Sequence, residues 1–124
     1  MIMKIAVTSY GKDLTSEVDR SFGRAKWFVV IDVETGTSEA YSNEQNVNAA
    51  QGAGIQAARN VADLGVDAVV TGNVGPKAFR ALTAASVKMY IVDKNIKTVG
   101  KAFMEWKDGN LEEVTQATVE SHWV

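Results

Sequence analysis

At 124 residues, with 46% hydrophobic and 23% charged side chains, the chain has the length and apolar content of one packed domain and is too apolar to be disordered. Its 13 Lys and Arg against 15 Asp and Glu leave a formal charge of −2, which argues against a dedicated nucleic-acid binder, where a basic excess is the rule. No cysteine is present, so disulfides, thiolate zinc sites, cysteine-ligated iron–sulfur clusters and cysteine nucleophiles are excluded together.

The opening Met1-Ile2-Met3-Lys4 meets a charge too early for a signal peptide, and no apolar run approaches the length of a membrane span, so a cytoplasmic domain is expected. Lys4 to Ser9 is apolar without polar alternation, the pattern of a strand buried on both faces, and Tyr10-Gly11-Lys12-Asp13 ends it. Asp13 to Ala25 is polar and without period, a loop with room for one helical turn. Trp27 to Val33 is rich in β-formers, Glu34-Thr35-Gly36 reads as a hairpin turn, and Thr37 to Ser42 returns as a strand polar enough for a sheet edge.

Asn43 to Asn48 is a polar connection. From Ala49 to Leu64, Ala50, Ala53 or Gly54, Ala57, Val61 and Leu64 follow helical spacing, with Asn48 as the expected N-cap and Gly65 as the stop. Gly52 and Gly54 each weaken that helix by roughly 1 kcal/mol relative to Ala, a cost tolerated where a helix packs closely or approaches a ligand. Asp67 to Thr71 is a second buried strand. Gly72-Asn73-Val74-Gly75-Pro76 is a loop, with Pro76 suited to a first helical position. Lys77 to Ala85 is a short helix with Ala78, Leu82 and Ala85 inward. Val87 to Val92 is a third apolar strand, and Asn95 to Lys107 a last helix presenting Ile96, Val99, Phe103 and Trp106. Asn110 to Val124 shows no clear period and reads as a mobile or loosely docked tail.

This order predicts a three-layer α/β domain over residues 1–109, followed by the tail at 110–124. Right-handed crossovers give a mixed five-stranded sheet of order 3-2-1-4-5 with strand 2 antiparallel. The first and fourth strands are then parallel neighbours that the chain leaves in different directions. Ligands favour the carboxyl ends of strands at such a switch point. The segments placed there are Ser9 to Ala25 and Thr71 to Lys77.

Gly72-Asn73-Val74-Gly75-Pro76-Lys77 follows a buried strand and opens a helix. Its glycines let backbone N–H groups approach an anion, the helix start is partly positive, and Lys77 adds a full charge. It has neither the ending of a P-loop nor a G-x-G-x-x-G pattern. Taken alone, the segment reads first as a tight connection needing Gly and Pro for geometry only, and the anion site comes second. Ser21-Phe22-Gly23-Arg24-Ala25 also supports two readings. Either Arg24 forks onto an anionic or sulfido ligand, or Phe22 is a core plug, Gly23 a turn and Arg24 a surface charge.

A meander followed by α/β units is also the plan of ribonuclease H-like nucleases. Those need carboxylates clustered on the central strand, and Lys4 to Ser9 has none, so two-metal catalysis is not expected. The single His122 lies in the tail, and Ser9, Ser16 and Ser21 have no histidine within their segment to act as base. Trp27, Trp106 and Trp123 are not spaced as a stacking platform. No enzymatic activity is expected.

Three stretches resemble those of the dinitrogenase iron–molybdenum cofactor biosynthesis and binding family, that is, NifX-like proteins and the C-terminal domain of NifB. They are Met3-Lys4-Ile5-Ala6-Val7-Thr8-Ser9, then Ser21-Phe22-Gly23-Arg24-Ala25 with Phe28 following, and Val70-Thr71-Gly72-Asn73-Val74-Gly75-Pro76-Lys77-Ala78-Phe79. The resemblance reaches to about Gly109. It implies a ribonuclease H-like α/β fold and the non-catalytic binding or carriage of an iron–molybdenum or other metal–sulfur cluster, or its precursor, in cofactor assembly for nitrogen fixation. It also implies cluster-assembly proteins as partners, with neither nucleic acid nor membrane involved. Carried over residue by residue, the binding candidates are Ser9, Phe22, Gly23, Arg24, Gly72, Asn73, Gly75 and Lys77. Family members often have a His where Ser21 stands. With no cysteine either, the implied site is a hydrogen-bonding, cationic cradle aided by Met, and its metal is not specified. The alternative is a protein-interaction or regulatory module that keeps the fold without a cluster and docks a partner on Trp106 or the Trp123 tail.

Overall fold

A computed structural model describes residues 3–47 and 52–117. Six strands and four helices follow in the order β1 (Lys4–Ser9), β2 (Trp27–Asp32), β3 (Ser38–Ser42), α1 (Glu44–Val47), α2 (Ala53–Asp63), β4 (Ala68–Thr71), α3 (Pro76–Ala84), β5 (Lys88–Ile91), α4 (Val99–Lys107) and β6 (Glu112–Glu113). The sheet runs β3-β2-β1-β4-β5-β6. β1 lies antiparallel to β2 (Ala6 opposite Val30) and parallel to β4 (Ala6 opposite Val69), and β4 is parallel to β5. The switch point expected between β1 and β4 is present.

Alternate residues of the central strands point to opposite faces, and each face has its own core. Ala6, Phe28, Val30, Val69 and Met89 pack with Ala57, Ala58 and Val61 of α2 and Ala78 and Leu82 of α3. Ile5, Val7, Val29, Ile31 and Val70 pack with Val99, Ala102 and Phe103 of α4. Double-sided burial explains why β1 reads as an unbroken apolar run. The β2–β3 hairpin turns at Gly36 with φ 77°, as its sequence requires.

The structure differs from expectation at five places. The stretch expected as a polar connection forms the one-turn helix α1, with Asn46 buried and bonded to Asn43, a contact between two polar side chains that leaves no apolar period. The sheet has six strands, not five: Glu112 and Glu113 pair antiparallel with Ile91 and Tyr90, and the Val114 N–H donates to the Met89 carbonyl at 2.8 Å. Two exposed glutamates carry no hydrophobic period. The strand exists because β5 offers an unpaired edge and Val114 packs against the core beside it. α4 starts at Val99, where the Thr98 hydroxyl accepts from the Lys101 N–H; the preceding residues form a turn in which the Asp93 carboxylate accepts from the Asn95 N–H. Ile96 is buried all the same, which is why it fitted the helical period. α2 is entered through Gly52 at φ 79°; the expected cap Asn48 and the start at Ala49 to Gln51 lie outside the described residues. Ala85, expected inward, is the exposed C-cap of α3.

Candidate functional site

Three connections meet at the carboxyl end of the parallel strands: the first loop (10–26), the β4–α3 loop (72–75) and the β5–α4 loop (92–98). The first loop is stitched along its length. Tyr10 N–H donates to the Glu17 carbonyl at 3.0 Å, Val18 N–H to Lys97 at 2.9 Å, Asp19 N–H to Thr8 at 3.0 Å, and the Val99 N–H returns to Ser16 at 2.9 Å. These are backbone bonds, which is why the polar stretch showed no side-chain period.

Beneath the loops lies a buried polar knot. The Thr8 hydroxyl donates to the Asp19 carbonyl at 2.6 Å and sits 2.8 Å from the Thr71 hydroxyl, joining the ends of β1 and β4. The Asp19 side chain is buried and accepts from the Ser21 N–H at 3.1 Å. Burial pushes its carboxyl above the usual range; the Ser21 and Lys26 N–H groups and the Lys26 charge pull against that shift. Asp19 in turn is the largest cause raising the nearby Tyr10 phenol.

The candidate arms touch through small residues. Ser21 and Asn73 form a parallel bridge, and the Asn73 amide donates to the Arg20 carbonyl at 3.2 Å. A Cβ on Gly72 would lie 2.7 Å from the Arg20 oxygen, so this approach is open only to glycine. Gly23 abuts the start of α2: its Cβ would lie 3.0 Å from both Cα and N of Gly54, and one on Gly54 would lie 3.2 Å from the Ala78 Cβ of α3. The Ser21–Arg24 arm and the N-termini of α2 and α3 therefore converge on one seam. Neither helix start has a side-chain cap bond or an acid in its first turn. Such ends present backbone N–H donors and partial positive charge.

The eight predicted residues divide by burial. Asn73 and Lys77 are exposed, Arg24 and Gly72 partly buried, and Ser9, Phe22, Gly23 and Gly75 buried. Ser9 Oγ donates to the Gly11 carbonyl and accepts its N–H, so it builds the turn after β1. Phe22 packs its ring 5.6 Å from Phe28 within the core, which fits the plug reading of that residue. Arg24 donates from its guanidinium to the Val47 carbonyl at 3.3 Å, and its N–H to Ser21 Oγ at 3.2 Å. His122 and Trp123 lie outside the described residues.

Sequence reasoning missed Asp19, Arg20, Thr8, Thr71 and Asn43. Asn43 is fully buried, donating to the Gly23 and Ala25 carbonyls at 3.2 and 2.8 Å while accepting from Asn46 at 2.7 Å. It holds the Phe-Gly-Arg-Ala backbone from behind. An asparagine in a polar stretch carries no mark distinguishing that role from a solvated one; the usable signal was Asp19-Arg20, two charges directly preceding the candidate motif.

In the connections at this end of the sheet and the first turn of α3, Lys12, Arg20, Arg24, Lys26, Lys77, Lys94 and Lys97 outnumber Asp13, Glu17, Asp19 and Asp93, a basic excess on a chain of net charge −2. Among the described residues no group of three or more His, Cys, Asp or Glu could hold a metal ion. Hollows of about 410 and 460 Å³ lie elsewhere, both bordering β6, lined by Ile91 with Glu112 to Ala117 and by Phe79, Val87, Met89 and Val114. The described residues thus offer an anion N–H donors and cations, with no cluster of metal-binding side chains.

Residues 1–109 match the family model described as dinitrogenase iron-molybdenum cofactor. The chain is 38% identical to the orange protein of Desulfovibrio gigas, solved in its apo form, over 96% of this chain and 98% of that one, with a TM-score of 0.90. An NMR structure of a NifB-like protein from Thermotoga is 36% identical over 94% and 97% of the two chains, with a TM-score of 0.81. An uncharacterised protein of Methanocaldococcus jannaschii is 26% identical over 113 residues, 90% of this chain and 91% of that one. No helix among the described residues is long and apolar enough to cross a membrane. Matched over most of its length, the chain belongs to the dinitrogenase iron-molybdenum cofactor family.

Proposed function

We propose that the protein is a non-catalytic, cytoplasmic binder or carrier of an iron–molybdenum or other metal–sulfur cluster, or of its precursor, held as cargo at the seam between the first loop and the starts of α2 and α3. The observation that carries this reading is the Gly23–Gly54–Ala78 contact, which sets two helix N-termini lacking side-chain caps against the Ser21–Arg24 arm. The cargo is anionic, because the donors are N–H groups and the rim is cationic. The seam itself supplies neither thiolate nor imidazole, since the chain has no cysteine and Ser21 stands before Phe22. Arg24, Asn73 and Lys77 make the direct contacts; Ser9, Phe22, Gly23, Gly72 and Gly75 shape the backbone that presents them. The donor and acceptor of the cluster are assembly proteins, and neither nucleic acid nor a membrane takes part. Strand order 3-2-1-4-5 with strand 2 antiparallel supports placing the fold in the ribonuclease H-like class.

The test is an anaerobic titration with a soluble iron–molybdenum–sulfur cluster, followed by desalting and metal analysis. Wild type should retain cluster in stoichiometric amount, and Arg24→Ala and Lys77→Ala should each weaken retention about tenfold, the loss of one charge-assisted contact. Unchanged retention in both variants would remove this site. The second reading, an interaction or regulatory module without a cluster, is favoured by the hollows beside β6, which lie apart from the seam. Wild type that retains no cluster would leave that reading standing.

A further inference from the structure

Two arginines flank the Ser-Phe-Gly core of the first loop, and they are used differently. Arg24 belongs to the candidate seam. Arg20 turns the other way: one guanidinium nitrogen donates to the Val92 and Asp93 carbonyls at 3.3 and 2.8 Å, and another to the Ile96 carbonyl at 2.8 Å. Three carbonyls of one connection converge on a single cation. Among the described residues the one ion pair is Lys101–Glu105, so Arg20 meets backbone oxygens and no carboxylate within ion-pair distance. Its own carbonyl receives the Asn73 amide, and Gly72 rests on its Cα and Cδ. One residue thus joins the first loop to both other connections at this end of the sheet.

We propose that Arg20 is a positioning residue. By gathering the carbonyls of the β5–α4 loop it fixes the height of the first loop above the sheet, and so holds the Ser21–Arg24 arm in register with Gly72 and Asn73. It does not touch the cargo. This inference rests on the binding reading above for its consequence, but the positioning itself is a property of the protein alone. A planar fork with several fixed donors suits three diverging carbonyls; a lysine ammonium keeps the charge on a flexible stem and loses that geometry.

The experiment compares Arg20→Lys with Val61→Ala, which truncates a fully buried side chain near the end of α2 and leaves the Arg20–carbonyl bonds in place, so that it supplies the general destabilisation to be subtracted. Amide hydrogen exchange of the unloaded proteins is followed well below their melting midpoints, and cluster release is timed after loading with a soluble iron–molybdenum–sulfur cluster. Arg20→Lys should speed exchange at Ser21 to Arg24 and at Gly72 and Asn73 at least tenfold beyond Val61→Ala, and release cluster correspondingly faster. Equal exchange at these amides in the two variants would overturn the proposal. If Arg20→Lys does not fold, Arg20→Gln replaces it under the same comparison. Should wild type bind no cluster, the binding reading fails by itself, and the exchange comparison still decides the role of Arg20.

Discussion

Gly72→Ala tests the seam most directly. Its added Cβ would lie 2.7, 2.8 and 2.9 Å from the oxygen, Cα and Cδ of Arg20, two of them backbone atoms that cannot rotate away. Restoring ordinary contact moves the β4–α3 loop and the first loop apart by about 0.7 Å, enough to stretch the 3.2 Å Asn73–Arg20 bond beyond hydrogen-bond reach. Overpacking of this kind costs about 2 kcal/mol and the lost bond about 1 kcal/mol, together about 3 kcal/mol. At about 2.1 cal/mol/K per residue, 124 residues give an unfolding entropy of about 260 cal/mol/K, so the midpoint should fall by about 11 °C. Gly36→Ala is the contrast. Nothing lies within 4 Å of its Cβ, and only its φ of 77° resists substitution. It should cost about 1 kcal/mol and about 4 °C. Scanning calorimetry checks both. A Gly72→Ala midpoint within about 2 °C of wild type would refute the close approach, because the strain has no other outlet.

Three further outcomes follow from the same geometry. Thr71→Val keeps the shape of a fully buried side chain but removes the hydroxyl 2.8 Å from Thr8; urea denaturation should show a loss of about 1–2 kcal/mol at unchanged m-value, and a neutral result would sink the knot as a stabilising element. Asp19 has its folded pKa raised by burial, so the folded state holds its proton to higher pH than the unfolded chain does. Wild-type stability relative to Asp19→Asn should therefore fall as pH rises from the ordinary carboxylate range through the raised value, then level off. Parallel stability curves between pH 3 and 7, or a wild type that gains on the variant, would contradict this account. Lys101→Ala breaks the 3.0 Å bridge to Glu105 on the surface of α4, where Lys101 is 60% exposed, and should change stability by less than about 0.5 kcal/mol.

The readable parts of the chain were those where side chains alone determine structure. β1 matched residue for residue because both its faces are buried, and Pro76 marked the start of α3 because its ring suits a first helical turn. Gly72 and Gly23 were visible as glycines, and both stand at close backbone approaches. What escaped was made by backbone pairing and by carbonyl acceptors, which leave no pattern in sequence. β6 exists through the open edge of β5, and the first loop is ordered by bonds to residues 97–100, some eighty positions away. Arg20 and Asn43 escaped for a related reason. Each holds main-chain oxygens, and those oxygens are the same on every residue type.

The site proposed above constrains the cargo it can take. Backbone donors at two helix starts and a few cations reward dense negative charge, and they reward it over a surface rather than at one ligand position. The buried polar groups beneath them already serve the fold: Thr8, Thr71, Asp19 and Asn43 bond to each other or to main chain, so the scaffold keeps its shape without cargo. Preorganisation of that kind lowers the ordering cost of binding without adding a bond that must later be broken. Thiolate ligation would make release a ligand-exchange reaction; hydrogen bonds and charge make it a dissociation. For a protein proposed to pass a cluster onward, the lack of cysteine therefore suits the transfer.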